Sequence, residues 1–284
     1  MIIHKEFDNG FKYIEVRNNQ AEAKIALQGA HLFHYKEKDT APLLWLSEAA
    51  YFEECKAIRG GIPICFPWFG KNKNDPSLPQ HGFARTEVWS VVVEEEVDDS
   101  TTHIQLQLKP NRDTLEQWTY LFNVTLNITI GHELTMVFSV TNTDTKPFEI
   151  STALHTYFSI SDIDNISIKG LENRAYYDAL EGETFIQDGD IIIQEEVDRV
   201  YSHPSKTVTL LDRNVKINLQ QEGSNSLVVW NPWIGKSKQM ADMTEDGYRT
   251  MMCLETSNAG EDSRVLKPNE SHVLSAVISS QILP

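Results

Sequence analysis

Basic residues are scarce in this chain: 25 lysines and arginines stand against 41 aspartates and glutamates, for a formal net charge of −16. A nucleic-acid-binding face needs excess positive charge to neutralise phosphates, so that class is excluded, and anionic membrane surfaces are repelled. Cysteine is nearly absent as well. Cys55, Cys65 and Cys253 make neither an even disulfide framework nor a Cys-x-x-Cys motif, a pattern that fits reduced thiols in a cytoplasmic protein. The opening residues, Met1 to Glu6, lack the apolar run of a signal peptide, and no later run is long enough to cross a bilayer. The expectation is a cytoplasmic protein with no membrane partner. In that compartment the Asn-x-Thr triplets at Asn123 and Asn127 carry no glycosylation meaning.

Long amphipathic helical patterns, linkers rich in Pro, Gly or Ser, and internal repeats are missing too. What the chain does have is period-two alternation. Ile104, Leu106 and Leu108 alternate with polar residues, as do Val124, Leu126, Ile128 and Ile130, then Leu134, Met136, Phe138 and Val140. Gly131-His132 divides the last two runs, which predicts a hairpin over 122–142. Further strands are expected over 11–17, 23–28, 31–35, 88–95, 207–211, 215–219, 226–230 and 273–278, with short helices over 47–52 and 113–117 and a loop over 71–80. Residues 1–284 thus read as one all-β domain, a sandwich of many antiparallel strands.

Chemistry-bearing groups sit in a few short segments. His155 in Leu154-His155-Thr156-Tyr157-Phe158 and Glu255 in Cys253-Leu254-Glu255-Thr256 each place one ionisable group in an apolar or neutral stretch. A histidine and a carboxylate flanking one small molecule can donate a proton on one side and accept one on the other. Arg59-Gly60-Gly61 opens an aromatic-rich loop, Phe66-Pro67-Trp68-Phe69-Gly70, in which Trp68 and Phe69 read equally well as a sugar-stacking face or as core. His81-Gly82-Phe83-Ala84-Arg85 repeats the His, Gly, Arg chemistry, although a lone loop histidine is more often solvated. Asp198-Arg199 reads as a surface ion pair or a ligand carboxylate, and Trp230-Asn231-Pro232-Trp233 as a turn. Gly235-Lys236-Ser237 lacks the first glycine of a phosphate-binding loop, since that position is Trp230. His31 and His34, three apart on a strand, point to opposite faces, so no metal site is assigned.

Taken in order, these segments resemble the glucose-6-phosphate 1-epimerases, the phosphosugar branch of the aldose 1-epimerase (galactose mutarotase-like) family. The resemblance runs from about residue 25 to the C-terminus and is carried by six motifs in series. It implies a galactose mutarotase-like β-supersandwich, no cofactor, and interconversion of the α and β anomers of a D-hexose 6-phosphate; separately, a monomer is expected. Position by position, His155 resembles the general acid and Glu255 the general base. Asp198 and His81 resemble residues that hold sugar hydroxyls and the anomeric end, and Arg59 and Arg85 resemble the phosphate-binding arginines. In that scheme a charged His155 protonates the ring oxygen while Glu255 takes the C1 hydroxyl proton. Three rival readings stay open: an epimerase of unphosphorylated aldoses, a sugar-binding protein without catalysis, and a glycosidase built on Asp198 and Glu255.

Overall fold

A computed structural model describes residues 1–283. Two eight-stranded antiparallel sheets dominate it, beside an N-terminal four-stranded sheet and a two-stranded ribbon. The first large sheet contains the predicted hairpin, observed as Phe122–Ile130 and Leu134–Asn142, joined through Gly131, His132 and Glu133. Both strands alternate buried and half-buried residues without a break, the pattern of a sheet with one face in the core. The second large sheet runs in the order Glu183–Ile186, Ala175–Asp178, Val197–Ser202, Ser226–Asn231, Met251–Asn258, Thr152–Leu154, Ile64–Cys65, and Tyr157–Ser159 also pairs with Met251–Asn258.

Every residue of Met251–Asn258 and of Ser226–Asn231 is buried. Alternation still sorts their side chains between two environments. Met252, Leu254, Leu227 and Val229 join the main hydrophobic cluster, which also takes Val124, Leu126 and Phe138 from the facing sheet. Met251, Cys253, Val228 and Trp230 point the other way, into a smaller cluster with Trp45 and Tyr157. Glu255, in phase with Cys253, therefore lies on the face turned away from the main core. There it is covered by loops rather than by the other sheet.

The eight further predicted strands all form, with their ends shifted by a few residues. The helix expected over 113–117 forms as Arg112–Gln117. Asn111 caps it by accepting the Thr114 amide, and Thr114 Oγ1 accepts the Asn111 amide in return. The helix expected over 47–52 does not form. Ser47 is tied by its own amide to the Arg59 carbonyl at 3.0 Å, and its carbonyl accepts from Ala50 in a single turn. Phe52 is then drawn off into a cluster with Phe7, Phe11 and Phe33. A five-residue helix, Trp233–Ser237, follows the segment expected to be only a turn.

Candidate active site

Residues from five separated segments converge on the outer face of the strand Met251–Asn258. His155 lies between the short strands Thr152–Leu154 and Tyr157–Ser159, both paired to Met251–Asn258, so 100 residues of sequence separation become adjacency. His155 Nε2 stands 3.3 Å from Glu255 Oε1. Both side chains are nearly inaccessible, at 9% and 1% exposure. Arg59, at 23%, and Asp198, at 30%, are more open and mark the mouth of the site.

Backbone close approach sets the rim. Gly60 and Gly61 have φ of +111° and +63°, and a Cβ on either would strike the Trp45–Leu46 or Leu32–Phe33 backbone. Gly82, at φ +73°, lies equally tight against Phe66 and Pro67. Buried His31 donates from Nε2 to the Gly60 carbonyl at 2.7 Å and so fixes the backbone next to Arg59. Burial pushes His31 down to about 4, which keeps it neutral. On the rim, Trp68 turns inward to pack on Phe83 and donates its indole N–H to Pro79, so it offers no sugar-facing surface. Phe69 instead meets His81 edge-on at 4.9 Å.

His81 accepts the Gly70 amide at Nδ1 (3.1 Å), which leaves Nε2 to carry its proton and act as a donor. Burial first, then Arg85 and Arg59, push His81 down to about 3. The ring of His81 meets that of His155 at 5.7 Å. Tyr157, two residues past His155, stacks on it at 4.8 Å and 7°, and Trp230 meets both rings edge-on.

The two arginines differ. Arg59 donates through Nε to Asp242 Oδ2 at 3.2 Å and through Nη1 to the Tyr157 hydroxyl at 2.8 Å, and its Nη2 lies 3.1 Å from the same Asp242 oxygen as an ion pair. Burial opposes its charge, but Tyr157 and Asp242 outweigh burial and hold the guanidinium above its ordinary range. Among the described residues Arg85 has no carboxylate within ion-pair distance, and its recorded side-chain bond goes to the Gln80 carbonyl. Burial lowers its pKa, as expected for a cation still lacking its counterion. Asp198 faces Lys236 at 4.0 Å, and burial outweighs that lysine to raise its carboxyl.

The surroundings act against the charged His155 of the expected scheme: burial first, then His81, Arg59 and Arg85, hold His155 well below the usual imidazole range. Burial, helped by Asp198, drives Glu255 well above the usual carboxylate range. Both shifts disfavour the charged pair and favour an uncharged imidazole beside an uncharged carboxyl. Tyr157 and Asp242 were not singled out in the sequence. Tyr157 had a weak signal, standing two residues from His155 in the same segment. Asp242, 183 residues from Arg59, had none.

The aldose 1-epimerase family matches residues 12–279. The chain belongs to this family. Among its relatives, a protein of Cenchrus ciliaris provisionally named glucose-6-phosphate 1-epimerase is 38% identical, over 91% of this chain and 82% of its own length. One of Escherichia coli K12 with the same provisional name is 33% identical, over 93% and 89%. A solved structure from Salmonella typhimurium, provisionally described as the mutarotase YeaD, superposes with a TM-score of 0.93 at 29% identity, covering 99% and 94% of the two chains. A galactose mutarotase-like protein of Clostridium acetobutylicum, at 15% identity and a TM-score of 0.77, shares the fold. The all-β mutarotase-like architecture read from the sequence is thus the family's own. No helix among the described residues is long and apolar enough to cross a membrane.

Proposed function

We propose that this aldose 1-epimerase family member interconverts the α and β anomers of a D-hexose 6-phosphate, with glucose 6-phosphate the leading substrate. The observation that carries the reading is the buried pair His155–Glu255 at 3.3 Å, beside an arginine that lacks a carboxylate partner. The names borne by the relatives from Cenchrus ciliaris and Escherichia coli support the phosphosugar branch. Residues 1–284 act as one domain in this reading, because one hydrophobic cluster runs from Ile14 to Ile278.

The chemistry conserves protons within the pair. Shifting one proton from Glu255 to His155 makes the acid and base that ring opening requires. Glu255 then takes the C1 hydroxyl proton, C1–O5 breaks as the C1 carbonyl forms, and His155 returns a proton to O5. The products are an open-chain aldehyde, a neutral imidazole and a neutral carboxyl. Burial pushes His155 down and Glu255 up, so it opposes the charged pair and favours the ring-opening step that discharges it. Rotation about C1–C2 presents the other carbonyl face, and closure reverses each transfer. His81, with its Nε2–H fixed, suits a sugar oxygen acceptor, and Asp198 at the mouth suits hydroxyl donors. Phosphate falls to Arg85 and to the N–H groups that Arg59 does not donate to Asp242 and Tyr157, and holding that end lets C1 turn.

Anomer exchange by NMR saturation transfer on glucose 6-phosphate and on free glucose tests this directly. Wild type should accelerate the phosphate ester alone, and Glu255→Gln should lose about 10²- to 10⁴-fold. Equal acceleration of free glucose would transfer the protein to the general aldose branch. Saturable binding without exchange would leave a sugar-binding protein.

A further inference from the structure

Beside the acid–base pair lies a third group for which the reaction has no use. Cys253 precedes Glu255 by two residues on one strand, so alternation carries its thiol to the face that holds Glu255. One ligand atom each from His155, Cys253 and Glu255 all lie within 4.8 Å of one another, and all three residues are buried. The thiol is free. His155 Nδ1 and Glu255 Oε2 are both buried without a hydrogen-bond partner. His31 and His34 drew the search for ligands in the sequence, whereas the fold gathers this different trio.

We propose that His155, Cys253 and Glu255 form a binding site for a thiophilic divalent cation of the zinc class, and that an ion seated there excludes the sugar. Nitrogen, sulfur and carboxylate oxygen are the donors zinc takes, commonly three from the protein with a fourth position open. A point can be found within about 2.8 Å of all three atoms when none is more than 4.8 Å from another. Zinc bonds of about 2.0–2.3 Å then ask for side-chain shifts of about half an ångström. The thiolate and the carboxylate together cancel the ion's double charge, which a buried site requires. Two cations nearby oppose its entry, Arg85 and Arg59, the second already neutralised by Asp242. Magnesium and calcium do not suit the site, because they demand about six or more oxygen ligands.

An ion bound to both members of the acid–base pair stops proton transfer, so inhibition should be competitive with the phosphosugar. That half of the proposal rests on the function proposed above; the binding half does not. The test titrates the intact protein with Zn²⁺ by calorimetry and with Co²⁺ by absorption, comparing wild type, Cys253→Ala and Cys55→Ala, the last removing the exposed thiol. Wild type should bind one zinc per chain and show a thiolate-to-cobalt charge-transfer band. Cys253→Ala should lose the band and at least about tenfold in zinc affinity, while Cys55→Ala keeps both. In the exchange assay, Cys253→Ala should keep its metal-free rate while becoming at least about tenfold less sensitive to zinc. Cys253→Ser serves if thermal unfolding shows that the alanine variant is not folded. Absence of zinc binding, binding unchanged without Cys253, or binding lost with Cys55 would each overturn the proposal. Zinc binding as expected in a protein that exchanges no anomers would sink the proposed function and leave the metal site standing.

Discussion

At the scale of single residues, Asp242 decides how much positive charge the site presents. Its carboxylate holds Arg59 through two nitrogens, and Arg59 in turn reaches Tyr157, which stacks on His155. Asp242→Asn keeps an oxygen to accept from Arg59 but removes the charge. Arg59 then attracts phosphate more strongly and opposes protonation of His155 more strongly. Steady-state kinetics should show KM for glucose 6-phosphate and kcat both falling, each by about three- to tenfold, the worth of an ion pair of about 1 kcal/mol. A KM that rises with kcat unchanged would mean that Asp242 merely shapes the loop. His31 gives a second test. Its folded pKa of about 4 lies below the unfolded value, so its contribution is present above pH 6.5 and is lost as pH falls toward about 4. His31→Gln can still donate to the Gly60 carbonyl and does not titrate. Thermal unfolding should therefore find wild type ahead at pH 7.5 and the gap closing by pH 5. A gap that stays constant across this range would show that His31 is not held neutral by the fold.

Elements were legible to the degree that one face of each was wet. The strands Phe122–Ile130 and Leu134–Asn142 alternate because only one side enters the core, and their register could be read directly from Val124, Leu126, Phe138 and Val140. Met251–Asn258 shows no such alternation, because both of its faces are covered, one by the main core and one by the site. Its role emerged only through Glu255 and the family motif, and Cys253 was read as a reduced thiol and not as a neighbour of His155. The helix expected over 47–52 failed because local pattern could not register a long-range tie from Ser47 to Arg59. The two faces of Met251–Asn258 should separate under mutation. Leu254→Ala opens a cavity in the main cluster and should cost about 2–5 kcal/mol by denaturant unfolding. Glu255→Gln, one residue on, should cut exchange by about 10²- to 10⁴-fold without that loss, since burial already disfavours the carboxylate charge that the amide lacks. Equal destabilisation by both substitutions would contradict the assignment of the two faces.

For the whole molecule, the net charge of −16 and the proposed dianionic substrate pull against each other. The protein's overall field repels an approaching phosphate, whereas the arginines that receive it are few and local. Salt acts unequally on the two. Exposed carboxylates spread over the surface act from more than one Debye length away, about 8 Å at 0.15 M, so salt screens them strongly. Arg85 and Arg59 are half-buried, and over the short range at which they grip phosphate salt screens them less. Raising ionic strength from about 0.02 to about 0.15 M should therefore increase kcat/KM for glucose 6-phosphate by about two- to fivefold at low protein concentration. A neutral sugar feels neither field, so any residual activity on free glucose should stay flat over the same range. A decrease with salt would mean that the local arginines dominate at long range and that the surface carboxylates are turned away from the mouth. In that case the acidic balance of the chain bears on its solubility and not on how it meets its substrate.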